Sequence, residues 1–138
     1  MESRIEKAVE RREKGYNCAQ AVACTYCDVV GMDEKTMFRL AEGLGVGVGN
    51  MEGTCGAITG ACMVLGLLNS TGNLEHPDSK GATMQLSRKI MEQFKERNSS
   101  VTCKELKGVE TGHMLRSCPD CVRDASEFLE KILDEKIH

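Results

Sequence analysis

Tryptophan is absent from this chain, and aromatic residues make up only 4% of it, so it offers no stacking platform for bases or sugars. It has no basic arm, and its formal net charge is −3. That balance argues against a nucleic-acid or anionic-membrane surface. The apolar run over residues 57–68 is too short to cross a bilayer, which takes ~20 residues. No membrane insertion is therefore expected. The N-terminus, Met1-Glu2-Ser3-Arg4-Ile5-Glu6-Lys7, is charged and lacks the apolar run of a signal peptide. The expected compartment is the cytoplasm. Internal repeats, low-complexity tracts and linkers are also missing, so the 138 residues read as one domain, long enough to bury a core without staples.

Cysteine is what the chain has in quantity. Eight cysteines are many for a reducing compartment, yet fewer than the density of small secreted disulfide scaffolds. In the cytoplasm such a number points to metal, redox or catalytic chemistry, or to plain burial. The eight methionines read as core filler, because Met packs irregular gaps well.

The chain is organised around Gly53-Thr54-Cys55-Gly56-Ala57-Ile58-Thr59-Gly60-Ala61-Cys62, continuing to Leu68. Glu52 stands at its entrance, and no charge lies inside. Thr54 is a suitable N-cap, which predicts a helix with Cys55 in its first turn. An apolar surface nearly all round marks a helix buried in a core. Gly56 and Gly60, and Ala57 and Ala61, fall four apart and form a smooth strip for close helix packing.

The remaining segments also read as helices. Ser3 with Glu6 forms a capping box for residues 4–14, closed by Gly15. Asn17 caps 18–30, ended by Gly31, and Asp33 caps 34–42, with Met37, Phe38, Leu40 and Ala41 inward. The glycine-alternating stretch 43–50 predicts a tight, buried loop. It lacks the Lys-Ser/Thr of a phosphate loop and has no preceding strand. A helix follows from Pro77 to about Arg97, with Met84, Ile90, Met91 and Phe94 inward. A short helix starts at Thr102, with Glu105 completing a capping box, and Ser117 caps a last helix over 118–137. The predicted fold is all-α: a single domain of about five to six helices around a buried central one.

Four cysteines directly follow a capping residue: Cys18 after Asn17, Cys55 after Thr54, Cys103 after Thr102 and Cys118 after Ser117. Each is expected in the first turn of a helix, where unpaired N–H groups and the helix dipole favour negative charge. Thiolate is both the nucleophile and the metal ligand, and helix N-termini lower thiol pKa values. Convergence of the four around one pocket is the corresponding expectation.

The other four cysteines read differently. Cys24, Cys27 and Cys62 fall within helices, where buried cysteine acts as a small hydrophobe. Cys121 completes Cys118-Pro119-Asp120-Cys121 at a helix start, the local arrangement of dithiol oxidoreductases, though no βαβ pattern surrounds it. The two CxxC pairs are too far apart for a zinc ribbon, and no compact iron–sulfur run is present. His76, His113 and His138 read as surface histidines, with His113 the one near Cys118 in sequence.

Together, Asn17-Cys18-Ala19-Gln20-Ala21-Val22, Cys55-Gly56-Ala57-Ile58-Thr59-Gly60-Ala61, Cys103-Lys104-Glu105-Leu106 and Cys118-Pro119, with Val122 and Ala125 after it, carry a resemblance. The chain resembles the family of putative redox-active proteins named for its C…(G)C(G)AxxG…C…C pattern, over nearly its whole length. The resemblance implies a small helical bacterial protein whose redox activity rests on cysteines, without fixing a substrate. Carried over position by position, the family cysteines fall on Cys18, Cys55, Cys103 and Cys118, the four that capping selects. Cys24, Cys27, Cys62 and Cys121 lie outside that pattern.

Three readings compete. The first is a thiol–disulfide redox protein with Cys55 as nucleophile, resolved by Cys18, Cys103 or Cys118. It expects no cofactor, and its partner would be a redox protein or small thiol. The second is a metal or iron–sulfur protein in which the same four thiolates hold a cluster or zinc. The third is structural, with capped cysteines packed at helix ends in a domain that binds a partner protein. Self-association into a homo-oligomer stays open.

Overall fold

The computed structural model describes residues 1–137, and His138 lies outside the described residues. Among the described residues there are seven α-helices and no β-strand. In chain order they are α1 (Ile5–Lys14), α2 (Cys18–Tyr26), α3 (Glu34–Ala41), α4 (Gly56–Asn69), α5 (Lys80–Asn98), α6 (Cys103–Lys107) and α7 (Cys118–Ile137). A 3₁₀ turn over Cys27–Val30 extends α2. The chain is all-α, as the periodicity predicts.

Local chemistry sets several boundaries as expected. The Asn17 side chain accepts from the Gln20 N–H at 2.9 Å, and the Gln20 side chain accepts from the Asn17 N–H at 3.0 Å. That is a complete capping box at the head of α2. Asp33 accepts from the Thr36 N–H at 2.9 Å at the head of α3. Other caps differ. Arg4, not Ser3, occupies the N-cap of α1. Helix α5 starts at Lys80, after Ser79, rather than at Pro77. At α6 the Thr102 side chain makes no cap bond; Ser100 Oγ accepts from the Thr102 N–H at 3.1 Å and donates to Glu105 at 3.0 Å. At α4 Cys55 itself is the N-cap, and Thr54 instead bridges to Thr102 as an isolated antiparallel pair. Leu40 and Met84, expected inward, are exposed.

The core is built on a pair of helices rather than on one. Helix α4 buries Gly56, Ala57, Ile58, Gly60, Ala61, Val64 and Leu65 but leaves Leu67 exposed. The fully enclosed helix is α2, all nine of whose residues are buried. The two pack through the small-residue strip. A Cβ on Gly60 would lie 2.4 Å from the Ala19 carbonyl oxygen, and one on Gly56 would lie 3.1 Å from the Ala19 nitrogen. The backbones therefore approach more closely than any side chain at these positions would allow. Apolar positions repeating along α7, among them Val122, Ala125, Leu129, Ile132 and Leu133, close the core from the other side.

Buried polar groups fix α7 against its neighbours. Asp124 accepts from Arg116 through Nε and Nη2, each at 3.0 Å, from Arg97 at 3.1 Å and from Asn98 at 3.0 Å. Glu130 accepts from the Tyr26 hydroxyl at 2.5 Å and from the Arg4 N–H at 2.7 Å. These bonds tie the loop before α7, the end of α5, the end of α2 and the start of α1 to one helix, which sets where Cys118 and Cys121 stand.

The stretch before α4 folds into a tight left-handed turn. Val46, Gly47 and Val48 have φ of 55°, 57° and 61°. Positive φ is unusual for valine, whose branched side chain crowds the backbone there. Three hydrogen bonds hold the turn: Gly49 N–H to Gly45 O, Met51 N–H to Val46 O and Gly53 N–H to Gly47 O, at 2.8–2.9 Å. The stretch is tight but not the buried loop expected: Gly45 and Gly47 are buried, while Gly43, Val46, Val48, Gly49 and Asn50 are exposed. Gly47 is pressed against the head of α6; a Cβ there would lie 2.7 Å from the Cβ of Cys103.

Candidate functional site

Four helix beginnings meet at one place. The N–H of Cys55 donates to Val101 O at 2.8 Å, and the N–H of Cys103 donates to Gly53 O at 3.0 Å, so the heads of α4 and α6 are joined by backbone. The heads of α2 and α7 come in from the other side. Cys18, Cys55, Cys103 and Cys118 all line a single cavity of about 40 Å³. At ~10–15 Å³ for each water, that is room for about three. Cys121 lines the same cavity, one turn further along α7. Four of the five cysteines are buried, and Cys118 is the partly exposed one.

The thiols are organised in hydrogen-bonded pairs. Cys18 pairs with Cys118 and Cys121 with Cys55; the Cys18 sulfur also lies 4.0 Å from the Cys118 carbonyl oxygen, and the Cys121 sulfur 4.0 Å from the Arg116 carbonyl oxygen. Two cationic side chains complete the ring. Lys107, at the end of α6, donates to the Cys118 sulfur in a short contact. Arg12, on α1, reaches both Cys18 and Cys118.

This arrangement splits the thiols, where helix N-termini alone would favour all four capped cysteines as thiolates. Hydrogen bonding from Cys18, with help from Lys107 and Arg12, holds Cys118 far below the usual thiol range, at about 4, despite its burial. Cys55 is also lowered, chiefly by the S–H of Cys121 and then by the N–H groups of Ala57 and Ile58 at the head of α4. The charge on Cys118 works against that of Cys55. Cys18 and Cys121 are pushed up, because each must keep the proton that it donates. Burial pushes Cys103 up, and the nearby Lys107 only partly opposes it.

The other candidates lie elsewhere. Cys24 and Cys27 are buried on the far side of α2, and burial pushes Cys24 up to about 12. The Cys24 S–H reaches Glu34 O at 3.7 Å, and the Cys27 S–H reaches Cys24 O at 3.4 Å. Cys62 stands on the side of α4 near Ser87. His113 is exposed and does not line the thiol cavity, and His76 is exposed in its loop.

Sequence reading missed Arg12 and Lys107, and it left Cys121 outside the four chosen cysteines. Arg12 belongs to a charged run expected to be solvated. On the helix it points about 100° away from Arg11; Arg11 pairs with Glu34 at 3.1 Å while Arg12 turns to the sulfurs. Lys107 had no local signal. Cys121 did have one: it is three residues after Cys118, so both fall on one helix face.

Among the described residues no three histidine, cysteine, aspartate or glutamate side chains are disposed to hold a metal ion. Two of the five sulfurs also face fixed cations, which would repel a bound metal ion.

The fold and the site together define a class: an all-α protein with thiols gathered at converging helix N-termini and flanked by cations. The family model described as "Putative redox-active protein (C_GCAxxG_C_C)" matches residues 16–132, and the chain belongs to that family. No curated protein and no solved structure matches the chain.

Proposed function

We propose that this is a thiol–disulfide redox protein in which Cys118 attacks and Cys18 resolves. One observation carries the reading: a single sulfur, that of Cys118, receives the Lys107 ammonium, the Arg12 guanidinium and the S–H of Cys18. Those donors favour the thiolate, which is the attacking form. The resolving thiol is already in contact. Cys118 takes the attacking role from Cys55 because it is the one partly exposed member of the cluster. Cys55 and Cys121 form a second thiol pair behind it.

The working cycle runs between a dithiol and a Cys18–Cys118 disulfide. In the return half, the thiolate of a small thiol or of a partner protein attacks the Cys118 sulfur. The Cys18 sulfur leaves with the bond's electrons and takes up a proton. A second thiol then releases Cys118 as thiolate and departs as a disulfide. Two electrons pass from the reductant to the protein. A cluster of free thiols works only where thiols are kept reduced, so the proposed compartment is the cytoplasm.

The test is anaerobic purification of the full chain, followed by metal analysis and a thiol count before and after diamide. The expected result is no stoichiometric metal, loss of thiols in pairs, and a Cys18–Cys118 peptide in the digest that Cys118→Ser abolishes. Iron or zinc at one per chain, lost on changing any of Cys18, Cys55, Cys103 or Cys118 to serine, would replace this reading with a metal centre.

A further inference from the structure

The redox reading leaves the oxidant unnamed, and the cavity restricts it. The space beside Cys118 measures about 40 Å³, enough for about three waters. An organic disulfide or a bulky hydroperoxide does not fit inside it and meets Cys118 only from its solvent-facing side. A diatomic or triatomic oxidant does.

The walls say more. Arg12 lines the cavity, and its Nε–H is buried with no hydrogen-bond partner. A buried donor without a partner is rare in folded proteins and calls for an explanation. An oxygen-bearing ligand in the cavity supplies one. Lys107, already on the Cys118 sulfur, lines the same space. Nucleophile, two cationic donors and a resolving thiol therefore surround a volume of a few heavy atoms.

Resting on the redox reading above, we propose that the oxidant of this site is hydrogen peroxide, reduced by Cys118 with Arg12 and Lys107 holding its oxygens and Cys18 closing the disulfide. The Cys118 thiolate attacks one peroxide oxygen, and the O–O bond breaks. The sulfur keeps that oxygen and its hydrogen as a sulfenic acid. The other oxygen leaves as hydroxide and takes the proton of the Lys107 ammonium to become water. The Cys18 thiol then attacks the Cys118 sulfur, and the S–O bond breaks. Hydroxide leaves with the Cys18 proton as a second water. Two thiols lose two electrons, one peroxide becomes two waters, and Lys107 regains its proton from solvent. Cationic donors aimed at the departing oxygen stabilise charge that develops only in the transition state.

The experiment compares three oxidants on the reduced full chain: hydrogen peroxide, cumene hydroperoxide and diamide. Disulfide formation is followed by thiol count and peptide mapping. Peroxide is expected to form the Cys18–Cys118 bond roughly 100-fold faster than it oxidises a free thiolate, and cumene hydroperoxide to be at least about tenfold slower than peroxide. In Cys18→Ser the sulfenic acid should accumulate on Cys118 and be trapped there by dimedone. Arg12→Gln should slow the peroxide reaction by at least about tenfold while slowing diamide oxidation less. Pair formation with diamide but a peroxide rate no faster than a free thiolate would overturn the peroxide assignment and leave the redox reading standing. Equal rates for the two hydroperoxides, or an unchanged peroxide rate in Arg12→Gln, would overturn it too. No pair with any of the three oxidants would remove both.

Discussion

Gly60 on α4 lies directly against the backbone of Ala19 on α2: a Cβ at residue 60 would stand 2.4 Å from the Ala19 carbonyl oxygen. The obstacle is main chain, which cannot swing aside as a side chain can. Gly60→Ala and Gly60→Leu should both destabilise, the latter by about 1–3 kcal/mol through overpacking. Gly66 on the same helix meets nothing within 4 Å. Gly66→Ala should therefore stabilise by about 0.5–1 kcal/mol from helix propensity alone. Urea denaturation of the two alanine variants checks the opposite signs, and equal shifts would mean that the contact with Ala19 carries nothing.

The thiolate of Cys118 gives a pH signature. Its folded pKa, about 4, lies below the ordinary thiol value of 9.0. The sign follows from the depressed value. The stabilisation from this ionisation is fully present above pH 9 and fades as the pH falls towards 4. Thiolate absorbance near 240 nm should persist well below neutral pH. Lys107→Met should raise the midpoint by removing a donor and a charge, and shift the reactivity of Cys118 with iodoacetamide to higher pH. An unmoved midpoint would mean that Lys107 does not hold the thiolate.

Cys121→Ala removes the S–H that favours the Cys55 thiolate. Cys55 should then titrate higher and be alkylated more slowly at neutral pH, while Cys118 is little affected. Residue-resolved mass spectrometry after brief alkylation reads both sulfurs in one sample. A fall in Cys118 labelling with Cys55 unchanged would show that the two thiol pairs are wired differently.

Asp124 is the buried anchor between Arg97, Asn98 and Arg116. Asp124→Ala leaves the three donors without their acceptor. The cost should be about 3 kcal/mol, the low end for a broken buried pair, because both arginines keep contact with water. Thermal unfolding of the variant checks the size. Because Arg116 immediately precedes the head of α7, the rate of disulfide formation between Cys18 and Cys118 should fall as well.

Sequence patterns revealed those parts of this architecture that local chemistry governs. Asn17 and Asp33 cap as predicted because a cap is settled within four residues of chain. Thr54 fails as a cap because it pairs with Thr102, a partner that no local pattern announces. The gathering of the capped cysteines had a local signal in each helix start. Arg12 and Lys107 had none, since their roles exist only once α1 and α6 have docked beside α7. The left-handed valines 46 and 48 were equally hidden, because β-branched residues are poor candidates for that conformation. Their geometry comes from the glycine-to-backbone contacts around them.

Cys18 at the head of α2, whose sulfur lies 4.0 Å from the Cys118 carbonyl oxygen, stands 100 residues before Cys118 at the head of α7. On the ribosome, at ~5–20 residues per second, Cys18 therefore waits roughly 5–20 s before Cys118 has even been synthesised. During that interval its available neighbours are Cys24, Cys27, Cys55 and the others upstream of α7. A nascent chain made under oxidising conditions would close the wrong bonds first, and the correct one would have to wait for reshuffling. A thiol-rich protein of this topology is best completed in the reduced state and oxidised afterwards, by a reagent that reaches the finished cavity.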